Sequence, residues 1–264
     1  MGVILSIMNE KGGVGKSTLT YSIAWRLMQI GHRILVIDLD GQKANISYLA
    51  GIKVSDDTLT MQDVMLKNEN IQDAIQSVIQ SDEGCLDMIP AGINTSYMPP
   101  SVKISKFKKI VKSIKDNYDY IFIDVNPSPD WRHALTLSVL DCIAIIMLPD
   151  VMSLEANSGI FDSITEVQES FNPDLQVLGF ILNQFDARTN LTKGAMLKAN
   201  QMAEFYNTEL FNHTVRKAVV MGESAVSHKG ITEYNAKSAV ASDVCDVTDE
   251  LINRINSVIS ERSC

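Results

Sequence analysis

Ten residues near the start of the chain, Asn9-Glu10-Lys11-Gly12-Gly13-Val14-Gly15-Lys16-Ser17-Thr18, restrict its fold more than any other stretch. They follow an apolar, strand-like run from Val3 to Met8 and open into a helical pattern from Leu19 to Gly31, so the glycines fall on a strand-to-helix turn. Gly12, Gly13 and Gly15 let the backbone point successive N–H groups inward, and the positive end of the following helix adds to that field. Such a turn cradles phosphate oxygens. Lys16 supplies a point charge to β- and γ-phosphates, and the Ser17 hydroxyl is placed to ligate Mg²⁺. A glycine-rich turn with an incidental lysine would not need strand, loop, lysine and helix to agree.

The common phosphate-loop pattern has glycine five residues before Gly15; here Glu10 stands there, with an additional lysine, Lys11, beside it. The Lys-Gly-Gly-Val-Gly-Lys-Ser form resembles the deviant Walker A motif of the ParA/MinD family of ATPases, and in particular its ParA/Soj-type partition ATPases. The resemblance implies that Lys11, Gly12, Gly13, Val14, Gly15, Lys16, Ser17 and Thr18 hold the phosphates of ATP. It implies further that Lys11 acts in trans, across the two-fold axis of an ATP-bound homodimer.

Two apolar runs each end in an acid. Arg33 to Asp38 reads as a buried parallel strand, with Asp40 just beyond its carboxyl end, where ligands sit in open α/β sheets. Ile37-Asp38-Leu39-Asp40-Gly41-Gln42 resembles the family's second signature, with Gly41 in place of the usual proline; Asp38 is thereby implied in the Mg²⁺ shell, and Asp40 in orienting the attacking water. Tyr120 to Asp124 resembles a Walker B segment, which implies Asp124 as a Mg²⁺ ligand through water; Val125-Asn126-Pro127-Ser128 follows where the family has Pro-Pro-Ser. Asn183 ends another strand-like run, where the family places an asparagine near adenine; as a residue type it equally suits a strand-end turn.

The remaining chain reads as connecting helices and strands. Short helices are expected around Met61 to Val64 and from Ile71 to Ile79, a strand over Leu86 to Gly92 and a loop over Ser96 to Ser101. A lysine-rich helix is expected from Val102 to Tyr118, its lysines being either a solvated face or a secondary DNA-contacting patch. A strand over Cys142 to Pro149, a long helix from Val151 to Phe171 with an interface-like start, Ser153-Leu154-Glu155, and a closing amphipathic helix from Ala239 to Ser260 complete the reading. The resemblance implies a nonspecific DNA patch from Arg188, Lys193, Lys198, Arg216 and Lys217.

A length of 264 residues with 45% hydrophobic content suits one large domain over 1–264, and the four scattered cysteines suggest neither a zinc site nor a disulfide framework. A net charge of −9 argues against a uniformly basic surface, so any contact with nucleic acid needs a local patch. The start lacks a signal-peptide pattern and the tail from Ile255 to Cys264 lacks the basic, apolar character of a membrane-lying helix, so a cytoplasmic protein with no membrane partner is expected, and the resemblance implies nucleoid association. No extra helix-turn-helix domain is expected before the phosphate loop, so the chain resembles the short, Soj-like ParA form without an operator-reading module.

The expected fold is α/β: a doubly wound, mostly parallel sheet with helices on both faces, a single-domain P-loop NTPase. The resemblance implies an ATPase for plasmid or chromosome partition, using ATP and Mg²⁺, dimeric with ATP, binding DNA nonspecifically and stimulated by a ParB-like partner. The alternatives are a MinD-like membrane-surface regulator and a small-molecule P-loop enzyme.

Overall fold

The runs Val3–Met8, Tyr120–Asp124 and Cys142–Met147 are buried along their whole length, as is Arg33–Asp38 beyond its first residue. Strands that are apolar on both faces must be covered on both faces, and this requirement produces a three-layer α/β arrangement. The computed structural model describes residues 2–41, 45–92, 104–128, 130–149, 158–186 and 190–262, with backbone only at 158, 190–193, 261 and 262.

The strands in chain order are β1 (Val3–Met8), β2 (Arg33–Asp38), β3 (Gln76–Gln80), β4 (Cys85–Ile89), β5 (Tyr120–Asp124), β6 (Cys142–Met147), β7 (Gln176–Phe185) and β8 (Val215–Arg216). The helices are α1 (Lys16–Gln29), α2 (Ile46–Leu49), α3 (Met61–Leu66), α4 (Ile104–Ser113), α5 (Trp131–Leu137), α6 (Ser158–Ser170), α7 (Asn190–Phe205), α8 (Val220–Val226), α9 (Ile231–Tyr234) and α10 (Ala239–Arg262). The sheet runs β3-β4-β2-β5-β1-β6-β7-β8, with every pairing parallel except the antiparallel edge pair β3–β4. The doubly wound, mostly parallel sheet expected from the sequence is thus present.

Alternation along each strand divides the core in two. Leu5, Ile7, Ile34, Val36, Phe122 and Ile146 face the cluster that includes α1 and α10 residues, whereas Ile4, Met8, Leu35, Ile37, Ile121 and Ile145 face the cluster that includes α4, α6 and α7 residues. Ser6, on a wholly buried strand, donates its hydroxyl to the Ile123 carbonyl at 2.6 Å, so its polarity is satisfied within the sheet.

One expected helix is a strand. Residues 71–74 form a single 3₁₀ turn capped by Asn70, and the chain then runs as β3 against β4. The lysine-rich helix is shorter than expected, spanning Ile104–Ser113 before a 3₁₀ turn at Lys115–Asn117. Three lysines of the expected segment are engaged: Lys106 donates to the Met65 carbonyl and to Asn68, Lys108 to the Phe171 carbonyl, and Lys115, on the 3₁₀ turn, to Asp141. The segments 96–101 and 153–155, read as a loop and the start of an interface helix, lie outside the described residues, and α6 is described from Ser158. No described helix is long and apolar enough to cross a membrane.

Candidate functional site

β1 is central because its two neighbours, β5 and β6, come from opposite halves of the winding, so the loop leaving its carboxyl end opens into the crevice of the sheet. Asn9 pins that loop: its Nδ2 donates to the Ile146 carbonyl at 2.5 Å and its Oδ1 accepts from the Lys11 N–H at 2.6 Å. Gly13 and Gly15 then take φ of +75° and +91°, the left-handed region where a side chain is strained. A Cβ on Gly15 would also approach Asn183 Nδ2 to 2.5 Å, so space as well as conformation requires glycine. From behind, Asn183 Nδ2 donates to the Val14 carbonyl at 2.7 Å and Gln184 Nε2 to the Gly13 carbonyl at 3.3 Å. With these carbonyls turned back into the protein, the loop N–H groups that follow Lys11 are placed to meet a ligand.

Lys16 and Ser17 open α1 directly after this turn. Lys16 is buried, its Nζ lying 3.4 Å from the Lys11 carbonyl; burial lowers its pKa, while Asp124 and Asp40 pull it the other way. Ser17 Oγ donates to Asp124 Oδ2 at 2.6 Å. Asp38 and Asp124 are register partners at the ends of β2 and β5, and both are buried. Burial pushes Asp124 up to about 7 despite the Ser17 hydrogen bond, and holds Asp38 well above the usual carboxylate range with the charge of Asp124 adding to the effect.

The two acids are not used alike. Asp38 Oδ1 accepts from the Asp40 N–H at 2.8 Å, and its Oδ2 from Ser47 Oγ at 2.5 Å and the Ser47 N–H at 3.1 Å, so Asp38 organises the loop that carries Asp40. Asp124 Oδ1 is buried with no hydrogen-bond partner among the described residues. A buried, unpaired carboxylate oxygen beside a serine hydroxyl and a phosphate-loop lysine fits a hard divalent cation such as Mg²⁺. Ser17 and Asp124 are the residues that would hold it, with Asp38 behind them.

Beside the loop lies a cavity of about 270 Å³. Gly15, Thr18, Asn183, Gln184, Arg216 and Lys217 give it a polar rim, and Leu19, Ala218, Met221 and Ala225 an apolar wall. Such a mixture suits a flat heteroaromatic base. Asn183, Arg216 and Lys217 therefore share one pocket with the loop, whereas Lys198 sits on α7, away from that lining. Arg216 is exposed and grips Asp243 with two bonds, Nε to Oδ2 at 2.6 Å and Nη2 to Oδ1 at 2.7 Å. Arg188 lies outside the described residues, as does the side chain of Lys193. Sequence reasoning missed Gln184, Arg132 and His133. Gln184 matches no motif, and the other two were readable only as residues closely following Asp124.

The strand–loop–helix turn, the serine–aspartate pair and the two strand-end acids define a P-loop nucleotide-binding protein. Residues 2–177 match the AAA domain family. The chain is 28% identical over 256 residues to the sporulation initiation inhibitor protein Soj of Bacillus subtilis (strain 168), covering 95% of this chain and 98% of Soj. It is 27% identical over 259 residues to the chromosome partitioning protein ParA of Myxococcus xanthus (strain DK1622), covering 96% and 89% of the two chains. Its fold matches the septum site-determining protein MinD complexed with Mg-ADP from Pyrococcus horikoshii OT3, with a TM-score of 0.75, 22% identity, and coverage of 95% and 96%. The chain belongs to the AAA domain family and, within it, to the ParA/MinD group of P-loop proteins.

Proposed function

We propose that the chain is an ATP-hydrolysing partition switch. The observation that carries this reading is the convergence of the Lys16 ammonium, the Ser17–Asp124 pair and Asp40 on the mouth of a left-handed glycine turn at the start of a helix. In this reading the loop binds the phosphates of ATP and the cavity beside Asn183 takes the adenine. Mg²⁺ held by Ser17 and Asp124 supplies charge neutralisation at the β- and γ-phosphates. Lys16 contributes a point charge whose effect is strengthened by burial, and Asp40, held by Asp38 through its N–H, orients the water that attacks the γ-phosphate. Lys11 reaches the phosphates of a second copy, so that ATP favours a homodimer and hydrolysis removes the contact that favours it.

DNA partition is the finer part of the proposal. It is supported by the likeness to proteins named as a chromosome partitioning protein and a sporulation regulator. The ATP-bound dimer binds DNA nonspecifically through Lys193, Lys198, Lys217 and Arg188, and a ParB-like partner stimulates hydrolysis at the nucleoid. Size-exclusion chromatography and DNA binding with ATP, ADP and no nucleotide test it. Dimerisation and DNA retention confined to the ATP sample are expected; retention indifferent to nucleotide sinks the switch.

A further inference from the structure

α5 follows Asp124 by only a few residues and places two polar side chains in the interior, Arg132 at 7% exposure and His133 at 2%. Burying a guanidinium and an imidazole is costly unless their bonds serve a purpose. Asp130 caps α5 and also holds Arg132 Nε and Nη2, at 3.0 and 2.5 Å, which leaves Nη1 to donate to the Leu39 carbonyl at 3.3 Å. Leu39 sits between Asp38 and Asp40, and its own N–H donates to the Asp124 carbonyl at 2.8 Å. On the next residue, His133 Nε2 lies 2.8 Å from the Asn126 carbonyl. A carbonyl only accepts, so the proton is on Nε2. Nδ1 is buried with no hydrogen-bond partner among the described residues, which fits a neutral ring, and burial lowers the pKa of that ring.

Adjacent residues of one short helix thus grip two different loops: Arg132 the one after β2, which carries Asp40, and His133 the one after β5, which follows Asp124. We infer that Arg132 and His133 are positioning residues that tie these loops together, so that a displacement of either, as on gain or loss of a phosphate, is carried to the other. The tie is mechanical, running from the Leu39 carbonyl through Arg132, the α5 backbone and His133 to the Asn126 carbonyl. It deepens the ATPase reading and rests on it for the catalytic consequence, though the linkage of the loops can be measured without nucleotide.

Amide hydrogen exchange in the nucleotide-free protein tests the linkage. Loss of one buried bond corresponds to about a tenfold change in local opening. His133→Leu is therefore expected to speed exchange about tenfold at Leu39 and Asp40, whose N–H groups are bonded to the Asp124 carbonyl and to Asp38 Oδ1. His133→Gln, which can present an N–H near the Nε2 position, is expected to restore slow exchange. In steady-state hydrolysis His133→Leu should lower kcat about tenfold and leave KM for ATP within about twofold, with His133→Gln recovering most of the loss. Exchange that changes only over 125–128, or rises equally throughout the chain, overturns the inference in favour of local packing. Should His133→Leu fail to fold, Arg132→Lys, which keeps the charge and loses the fork, is expected to speed exchange at Asn126; unchanged exchange there overturns the inference. An unaltered protein that hydrolyses no ATP sinks the ATPase reading, and the exchange pattern still decides the tie.

Discussion

At the scale of single residues, the strongest constraint is the pair of buried carboxylates at the ends of β2 and β5. Asp124 carries a folded pKa of about 7 against 3.8 for an ordinary aspartate, and Asp38 is raised as well. Folding therefore takes up protons between about pH 4 and 7. In that window the native state binds more protons than the unfolded chain, so stability declines as pH rises, and the contribution of Asp124 is fully lost above about 7. For a shift of this size the loss is on the order of a few kcal/mol. Thermal melts of metal-free protein from pH 5 to 8 are expected to show a falling midpoint, with Asp124→Asn flattening much of the slope; a flat or rising midpoint in the unaltered protein contradicts it. Mg²⁺ must displace that proton, so its affinity should climb through the same window. The energetic cost of burying these carboxylates is thus the mirror image of their readiness for a cation.

At the scale of elements, the site depends on supports that come from distant parts of the chain. Glu250 on α10 accepts from the N–H groups of Asn212 and His213, and from Arg254 Nε and Nη2. Arg254 in turn donates to the Leu178 and Leu210 carbonyls and lies over the Phe211 ring at 4.2 Å. This cluster fixes the segment leading to β8 and to the wall of the base-sized cavity. Glu250→Ala would leave a largely buried guanidinium and backbone donors short of a partner, costing about 2–4 kcal/mol. The expected fall in Tm is roughly 5–15 °C by calorimetry; a change within a degree or two contradicts the assignment. Such supports are hard to read from sequence, because apart from the Glu250–Arg254 pair they join residues tens of positions apart. The central parallel strands were legible for the opposite reason: burial on both faces writes a continuous apolar run at Ile34–Ile37 or Ile121–Ile123. β3 was not. Ile71, Ala74, Ile75, Val78 and Ile79 recur at the three-and-four spacing of a helix, and only pairing with β4 makes the second half extended. Likewise the phosphate loop was legible down to Ser17, since its chemistry lies in consecutive residues, whereas Gln184 and Arg132 act through carbonyls that no motif marks. The lysine-rich helix looked like a free basic face, yet three of its lysines are tied to carbonyls or carboxylates of other elements.

At the scale of the whole molecule, the proposed switch has to work against a net charge of −9. Of the basic residues considered for DNA, Arg216 is already neutralised by Asp243, while Lys217 forms no ion pair among the described residues. Lys217→Ala should accordingly weaken DNA retention at saturating ATP uniformly across sequences and reduce the slope of log affinity against log salt by about one; because Lys217 also lines the cavity beside the loop, ATP is kept saturating for both proteins. A salt titration that leaves the slope unchanged removes Lys217 from the contact. The association of two copies bears on the same question, because doubling the chain doubles both the patch and the repulsion. In the proposed switch, bound nucleotide supplies charge that each copy answers with a cation, the role proposed above for Lys11. Lys16 serves its own subunit, its ammonium being buried beneath the loop, so the two lysines divide the work. Lys11→Ala is then expected to keep ATP affinity within a few-fold and abolish the ATP-dependent dimer in analytical ultracentrifugation. Lys16→Ala is expected to lose nucleotide binding itself, and with it everything downstream. Should Lys11→Ala still dimerise on ATP with undiminished affinity, the bridge between copies must be built from other residues and the trans assignment fails.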